Sequence, residues 1–127
     1  MRIDTKLFIV LSFNYMVEQA VELVELDSIF RSLADPTRRD ILARVARAEH
    51  SVGELVENYN MSFAAISKHL NVLEKAKLII KRREGKKQMV TLAPGALMTA
   101  DEYLEQYRQL WEQKFTKLDA LLMEEKS

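Results

Sequence analysis

From Val17 onward, apolar residues recur at three- and four-residue intervals, the spacing of one buried helix face. Val17, Ala20, Val21 and Val24, then Leu26, Ile29, Phe30 and Leu33, trace the first such face. Asp35-Pro36 interrupts it, because Asp35 can cap a new helix while Pro36 takes its first position, where a missing N–H costs nothing. The second helix carries Ile41, Leu42, Val45 and Ala46 on one face and is expected to end near residues 48–50. Ser51, with Glu54 three residues on, forms a capping-box pattern for a short helix that points Leu55 and Val56 inward and ends around Tyr59-Asn60. Ser62 caps a fourth helix along which Ala65, Ile66, Leu70, Leu73 and Ala76 or Lys77 form a one-sided stripe. Ser67, Lys68, Asn71 and Lys75 fall off that stripe. Two helices about three residues apart, the second polar outside, read as a helix-turn-helix.

The period then changes. Leu78-Ile79-Ile80 leads into Lys81-Arg82-Arg83, then Glu84-Gly85-Lys86-Lys87, then Gln88-Met89-Val90-Thr91-Leu92. Two β-prone runs joined through a glycine predict a hairpin with a basic tip. After Pro94-Gly95, Thr99 or Asp101 opens a long last helix, with Asp101, Glu102 and Glu105 as an acidic first turn that suits the helix dipole. Leu104, Trp111 and Leu118 repeat at seven, as do Tyr107, Lys114 and Leu121, with Tyr103, Leu110, Phe115 and Leu122 beside them. A stripe this broad and aromatic needs covering, and a second copy of the chain is the expected cover. The predicted fold is mainly α with a small β-hairpin: a winged helix-turn-helix whose N- and C-terminal helices form a dimerisation layer. Residues 1–15 read as an N-terminal extension of open role, with Met16 an alternative start. Residues 16–127 form the winged domain, with its recognition helix at about 62–76, wing at about 79–92 and last helix at about 99–124.

Composition narrows the function. The chain has 127 residues, 48% of them apolar and 30% charged, and no cysteine, which removes disulfides, thiolate metal sites and thiol nucleophiles. Formal net charge is zero, yet residues 62–92 hold eight Lys/Arg against two acids. Residues 1–61 hold seven against ten, and residues 93–127 hold four against seven. A basic block inside a neutral chain is the footprint of a polyanion-binding face, or of a solvated surface. There is no glycine-rich phosphate loop, no nucleophile with a placed base and no metal constellation, so no enzyme and no cofactor are expected. Leu7 to Phe13 is too short to cross a bilayer and lacks a clear cleavage site, so a cytoplasmic protein is expected.

These residues together resemble the ArsR/SmtB family of dimeric winged-helix transcriptional regulators. The likeness is carried by Leu33-Ala34-Asp35-Pro36-Thr37-Arg38-Arg39 before Ile41-Leu42, by Val52-Gly53-Glu54-Leu55, by Met61 through Leu70 with Leu73-Glu74, and by Arg82-Arg83-Glu84-Gly85. The resemblance implies that the fourth helix enters the major groove of double-stranded DNA. Phe63, Ala64, Ser67 and Lys68 would then face base edges, with Ser62 and Asn71 nearer the backbone. Arg82, Arg83, Lys86 and Lys87 would lie on phosphates or in the minor groove. Leu104, Tyr107, Trp111, Phe115, Leu118 and Leu122 would form the homodimer seam. The chain departs from the family's metal sensors, since it has no cysteine before the recognition helix and no Asp/His pairs on the last one. It also has Lys77 where the family usually has glycine, at a cost of roughly 1–2 kcal/mol if that position is left-handed.

The expected activity is sequence-specific repression by a homodimer on an imperfect palindrome, with no membrane partner. Two other readings stand beside it: a winged-helix protein–protein module, and a regulator with a small-molecule pocket between its terminal helices. Several single residues also admit two roles. His69 fits packing or phosphate contact, and Arg38 and Arg39 fit phosphate contact, with an ion pair from Arg38 to Asp35 or Asp40 as the alternative. The Tyr103/Tyr107/Trp111/Phe115 stripe fits a seam or a pocket. His50 reads as a solvated loop residue.

Overall fold

The computed structural model describes residues 4–125, and within them the side chains of residues 19 and 21–24 are not described, so the inward positions expected for Val21 and Val24 lie outside the described residues. Helix α1 (Thr5–Leu33) starts from Asp4, whose side chain accepts from the Lys6 N–H at 3.1 Å. It passes through Tyr15 and Met16 without interruption. The inward face expected from Val17 begins only at Leu26: Val17 and Ala20 are exposed, while Leu26, Ile29 and Ser32 are buried. The reason is length, since a helix of 29 residues outruns the body it docks on.

Helix α2 (Pro36–Arg47) is capped by Asp35, which accepts from the Arg38 N–H at 2.9 Å, with proline in the first turn. Ile41, Leu42 and Val45 are buried. Ala46, expected beside them, is exposed. At 100° per residue it lies about 90° from the centre of the arc the other three define. Strand β1 (His50–Ser51) follows, a third strand where only a hairpin was expected. Two residues are too few to show an alternation. Helix α3 (Val52–Glu57) is capped by Ser51 and ends earlier than the expected Tyr59-Asn60, with Leu55 buried and Val56 half-buried. Helix α4 (Phe63–Lys75) is capped by Ser62, which accepts from the Ala65 N–H at 3.1 Å.

Helix α4 ends in a Schellman turn. The Leu78 N–H reaches the Leu73 carbonyl at 3.0 Å and the Lys77 N–H reaches the Glu74 carbonyl at 2.9 Å. This geometry needs a left-handed residue, and Lys77 takes it with φ of 60°. Strands β2 (Ile79–Glu84) and β3 (Lys87–Leu92) then form the hairpin. Gly85 turns it with φ of +61°, the positive value that the first residue of a two-residue hairpin loop requires. The antiparallel sheet has the order β1-β3-β2.

Helix α5 (Pro94–Glu125) opens at Pro94, ahead of the expected Thr99 or Asp101. The Pro-Gly pair reads as a terminator, but proline also suits a first helical turn, and here that preference wins. Asp101 and Glu105 therefore sit inside the helix, both paired with Arg108, and no acid occupies the first turn. The core lies between these layers, where Ile29, Ile41, Leu55, Ile66, Leu70, Leu73, Leu78 and Val90 are all at most 1% exposed. Helices α1 and α5 meet where Phe30 packs edge-on against Tyr103, ring centroids 5.9 Å apart. Every described residue of α5 from Asp101 on is exposed. Among the described residues, no helix is long and apolar enough to cross a membrane.

Candidate nucleic-acid interface

The N-terminal end of α4 is laid open by its own cap. With Ser62 fixing the first turn and Ile66, Leu70 and Leu73 in the core, the opposite face must point outward. On it Ala64, Lys68 and Asn71 are exposed, with Ser67 half-buried at its edge; Phe63 lies nearer the core side of the helix but is exposed because it is the first helical residue. Phe63 is 62% exposed, beside the basic residues of the wing.

The wing stands beside this face, and strand alternation divides its charges. Ile79 is buried and Lys81 half-buried, so the odd residues of β2 face the body, while the exposed Ile80 marks the even residues as facing away. Arg83 pairs in register with Gln88 and lines a cleft of about 580 Å³ with Phe63, Glu54, Glu57, Lys86 and Lys87. Arg82 belongs to the other set. It is ion-paired with Glu49, just before β1, and lies 3.7 Å from Glu84. Alternation thus splits the two arginines, with Arg83 on the cleft side and Arg82 turned from it, while Lys86 in the turn and Lys87, in register with Glu84, border the cleft from the tip of the hairpin. A period of two cannot present adjacent arginines on one face.

Sequence reasoning passed over Lys81. Its ammonium donates to Asn71 Oδ1 at 2.6 Å and lies 3.6 Å from Glu74, which ties the wing to α4. The only available signal was its place in the basic block, which does not separate a bridging lysine from a free one. Asn71 is therefore engaged within the chain.

Behind α4 the polar groups are structural. Arg38 donates from Nε to the Ser32 carbonyl at 2.7 Å and from Nη2 to the Arg31 carbonyl at 3.2 Å, and its Nη1 meets His69 Nδ1 at 3.3 Å. Arg39 donates to the Leu33 carbonyl at 2.8 Å. Both arginines close the C-terminal end of α1, and Arg38 forms neither of the ion pairs, to Asp35 or to Asp40, that the sequence allowed. His69 also lies 3.8 Å from Asp35, whose carboxyl is held below its usual range, first by the Arg38 N–H it accepts from. His50, expected in a solvated loop, is a half-buried strand residue 3.3 Å from Glu54. Tyr59 is pushed up to about 12 by burial and by donating its hydroxyl proton to Asp40, which Arg44 also engages. Among the described residues, no group of three or more His, Asp or Glu side chains is arranged to hold a metal ion.

On α5 the six residues of the expected seam, Leu104, Tyr107, Trp111, Phe115, Leu118 and Leu122, are between 43% and 60% exposed in the single chain. Trp111 and Phe115 stack with centroids 5.6 Å apart and planes 24° from parallel.

Comparison with known proteins places this arrangement. The description "Bacterial regulatory protein, arsR family" matches residues 35–81, from the α2 cap to the first half of the wing. The transcriptional repressor SdpR of Bacillus subtilis is 37% identical over 60 residues, covering 47% of this chain and 67% of its own. The crystal structure of an ArsR family transcriptional regulator superposes with a TM-score of 0.64 at 31% identity, covering 69% of this chain and 91% of that one. The homodimeric winged helix-turn-helix DNA-binding domain Mb0332 from Mycobacterium bovis gives a TM-score of 0.59 at 26% identity, covering 72% and 87%.

Proposed function

The chain belongs to the arsR family of bacterial regulatory proteins, and from that premise we propose that it is a homodimeric, sequence-specific DNA-binding repressor of transcription. The observation that carries the reading is the exposed face of α4 beside a wing whose Arg83, Lys86 and Lys87 surround the same cleft. A helix N-terminus favours phosphate, and an α-helix fits the major groove of B-form DNA. In this reading Lys68 donates to guanine O6 or N7, Ser67 donates or accepts, and Phe63 and Ala64 touch a thymine methyl. Ser62 sits at the backbone, while Arg83, Lys86 and Lys87 take phosphates.

The apolar stripe of α5, joined to α1 at Phe30 and Tyr103, is the seam for the second copy. A two-fold axis there puts two α4 helices on half-sites about one helical turn apart, on an imperfect palindrome. A chromosomal partner carries with it a cytoplasmic location. The chemistry is binding, with no catalytic step.

In vitro selection of duplex DNA at two salt concentrations tests this. Recovery of a palindrome whose affinity falls steeply from 50 to 200 mM salt is the expected result. A folded, dimeric protein that enriches nothing and has no salt-dependent duplex affinity would overturn it.

A further inference from the structure

The wing cations differ in what already holds them. Lys81 is taken by Asn71 and Glu74, and Arg82 by Glu49 and Glu84. For Arg83, Lys86 and Lys87 the described residues provide no ion pair. Glu49 owes its position to the third strand. Because His50 pairs with Val90, the residue before it is carried to the same end of β3, and Arg82, which pairs with Met89, reaches across β3 to meet it. The contact therefore links the two outer strands over the middle one. An exposed pair of this kind adds little to stability. Its effect falls on what the guanidinium is free to do.

We propose that Glu49 limits sequence-independent DNA affinity by holding Arg82 away from phosphate. The inference rests on the DNA-binding reading above. Affinity for arbitrary duplex is almost wholly electrostatic, and each phosphate neutralised steepens the log–log salt dependence by about 0.9. Arg82 adjoins Arg83, and its long side chain brings the guanidinium within reach of the same backbone once Glu49 is gone, since the remaining carboxylate, Glu84, stands farther off at 3.7 Å and on the same strand. Held by Glu49, it contributes nothing to that slope. The neighbouring acids Glu54 and Glu57 line the cleft, but no ion pair joins them to its cations, so the restraint centres on Glu49.

The test is a double-mutant cycle on full-length protein with a random-sequence duplex, read as affinity against salt. Glu49→Gln should tighten binding three- to tenfold at low salt and steepen the slope by about 0.9. Arg82→Ala alone should leave the wild-type slope unchanged, and Arg82→Ala in the Glu49→Gln background should restore it. Equal melting temperatures across the set would show that all variants fold. An Arg82→Ala variant that flattens the slope by itself would overturn the proposal, since Arg82 would already sit on phosphate. So would a Glu49→Gln gain that persists without Arg82, because loss of negative charge alone would then account for it. A wild-type protein that binds no duplex, random or selected, would overturn the DNA-binding reading and this inference with it.

Discussion

Arg38 Nη1 and His69 Nδ1 lie 3.3 Å apart although 31 positions separate the two residues in the chain. Arginine only donates, so in this contact Nδ1 is the accepting atom. The same guanidinium reaches the Ser32 and Arg31 carbonyls, so one side chain joins the end of α1, the start of α2 and the middle of α4. Helix α4 is thereby fixed to the end of α1 through a single side chain.

Arg38→Ala is expected to lower unfolding free energy by about 1–3 kcal/mol, the range for losing charged hydrogen bonds to partly buried acceptors. Arg38→Lys should recover little of it, since one ammonium cannot serve three acceptors in a planar fork. Urea unfolding at neutral pH reads both. Full rescue by lysine would mean that charge, rather than geometry, does the joining.

Lys77 holds φ of 60° in the Schellman turn, where glycine has no Cβ penalty. Lys77→Gly should stabilise the protein by about 1 kcal/mol, less the small loss of the exposed contact to Glu25 at 3.6 Å. A melting temperature higher by about 3–5 °C would register it. An unchanged or lower value would show that the turn is not strained.

The lowered carboxyl of Asp35 sets a sign for acid stability. A group whose folded value is depressed contributes stability that is present above the ordinary value of 3.8 and is lost as pH falls through the folded one. Asparagine caps a helix about as well but does not titrate there. Asp35→Asn should therefore be near wild type at pH 7 and lose less between pH 4 and pH 2, as read by denaturant midpoints. Parallel acid limbs would remove Asp35 from the account.

Lys68 and Lys86 should fail differently. Lys68→Ala is expected to cost about 1–3 kcal/mol on a selected operator and to relax preference at one base pair. Lys86→Ala should weaken all duplexes alike and flatten the log–log salt slope by about 0.9. Competition binding with single-base operator variants separates the two. Identical signatures would show that α4 does not read bases.

Trp111→Glu and Leu118→Glu should each shift the protein to monomer at micromolar concentration in sedimentation, because a carboxylate buried in an apolar seam has no partner. Operator affinity should fall with the dimer. A dimer that survives both changes would place the seam elsewhere.

Much of the fold was legible because its signals are local. The Asp35, Ser51 and Ser62 caps, the stripe from Ile66 to Leu73 and the glycine of the wing each speak through a few neighbouring residues. Some misreadings were local, as at Pro94 and Ala46, and others arose where the deciding partner was distant. Strand β1 exists only because β3 lies beside it, and Arg38 closes α1 only because α2 turns back against that end. The candidate site divides the same way. The exposed face of α4 follows from its periodicity, but Glu49 on Arg82 and Asn71 on Lys81 are pairings between separate elements that charge counting does not resolve.

The wing's alternation also governs what changes of chain length it can absorb. Removing one residue between Lys81 and Glu84, or adding one, exchanges the two faces beyond that point. Arg83 would give up its place at the cleft to a residue now outside it, although the composition and the net charge of the hairpin barely change. Relatives of this chain should therefore vary freely in which basic residues they carry there, while gaining or losing wing residues in pairs or at the Gly85-Lys86 tip.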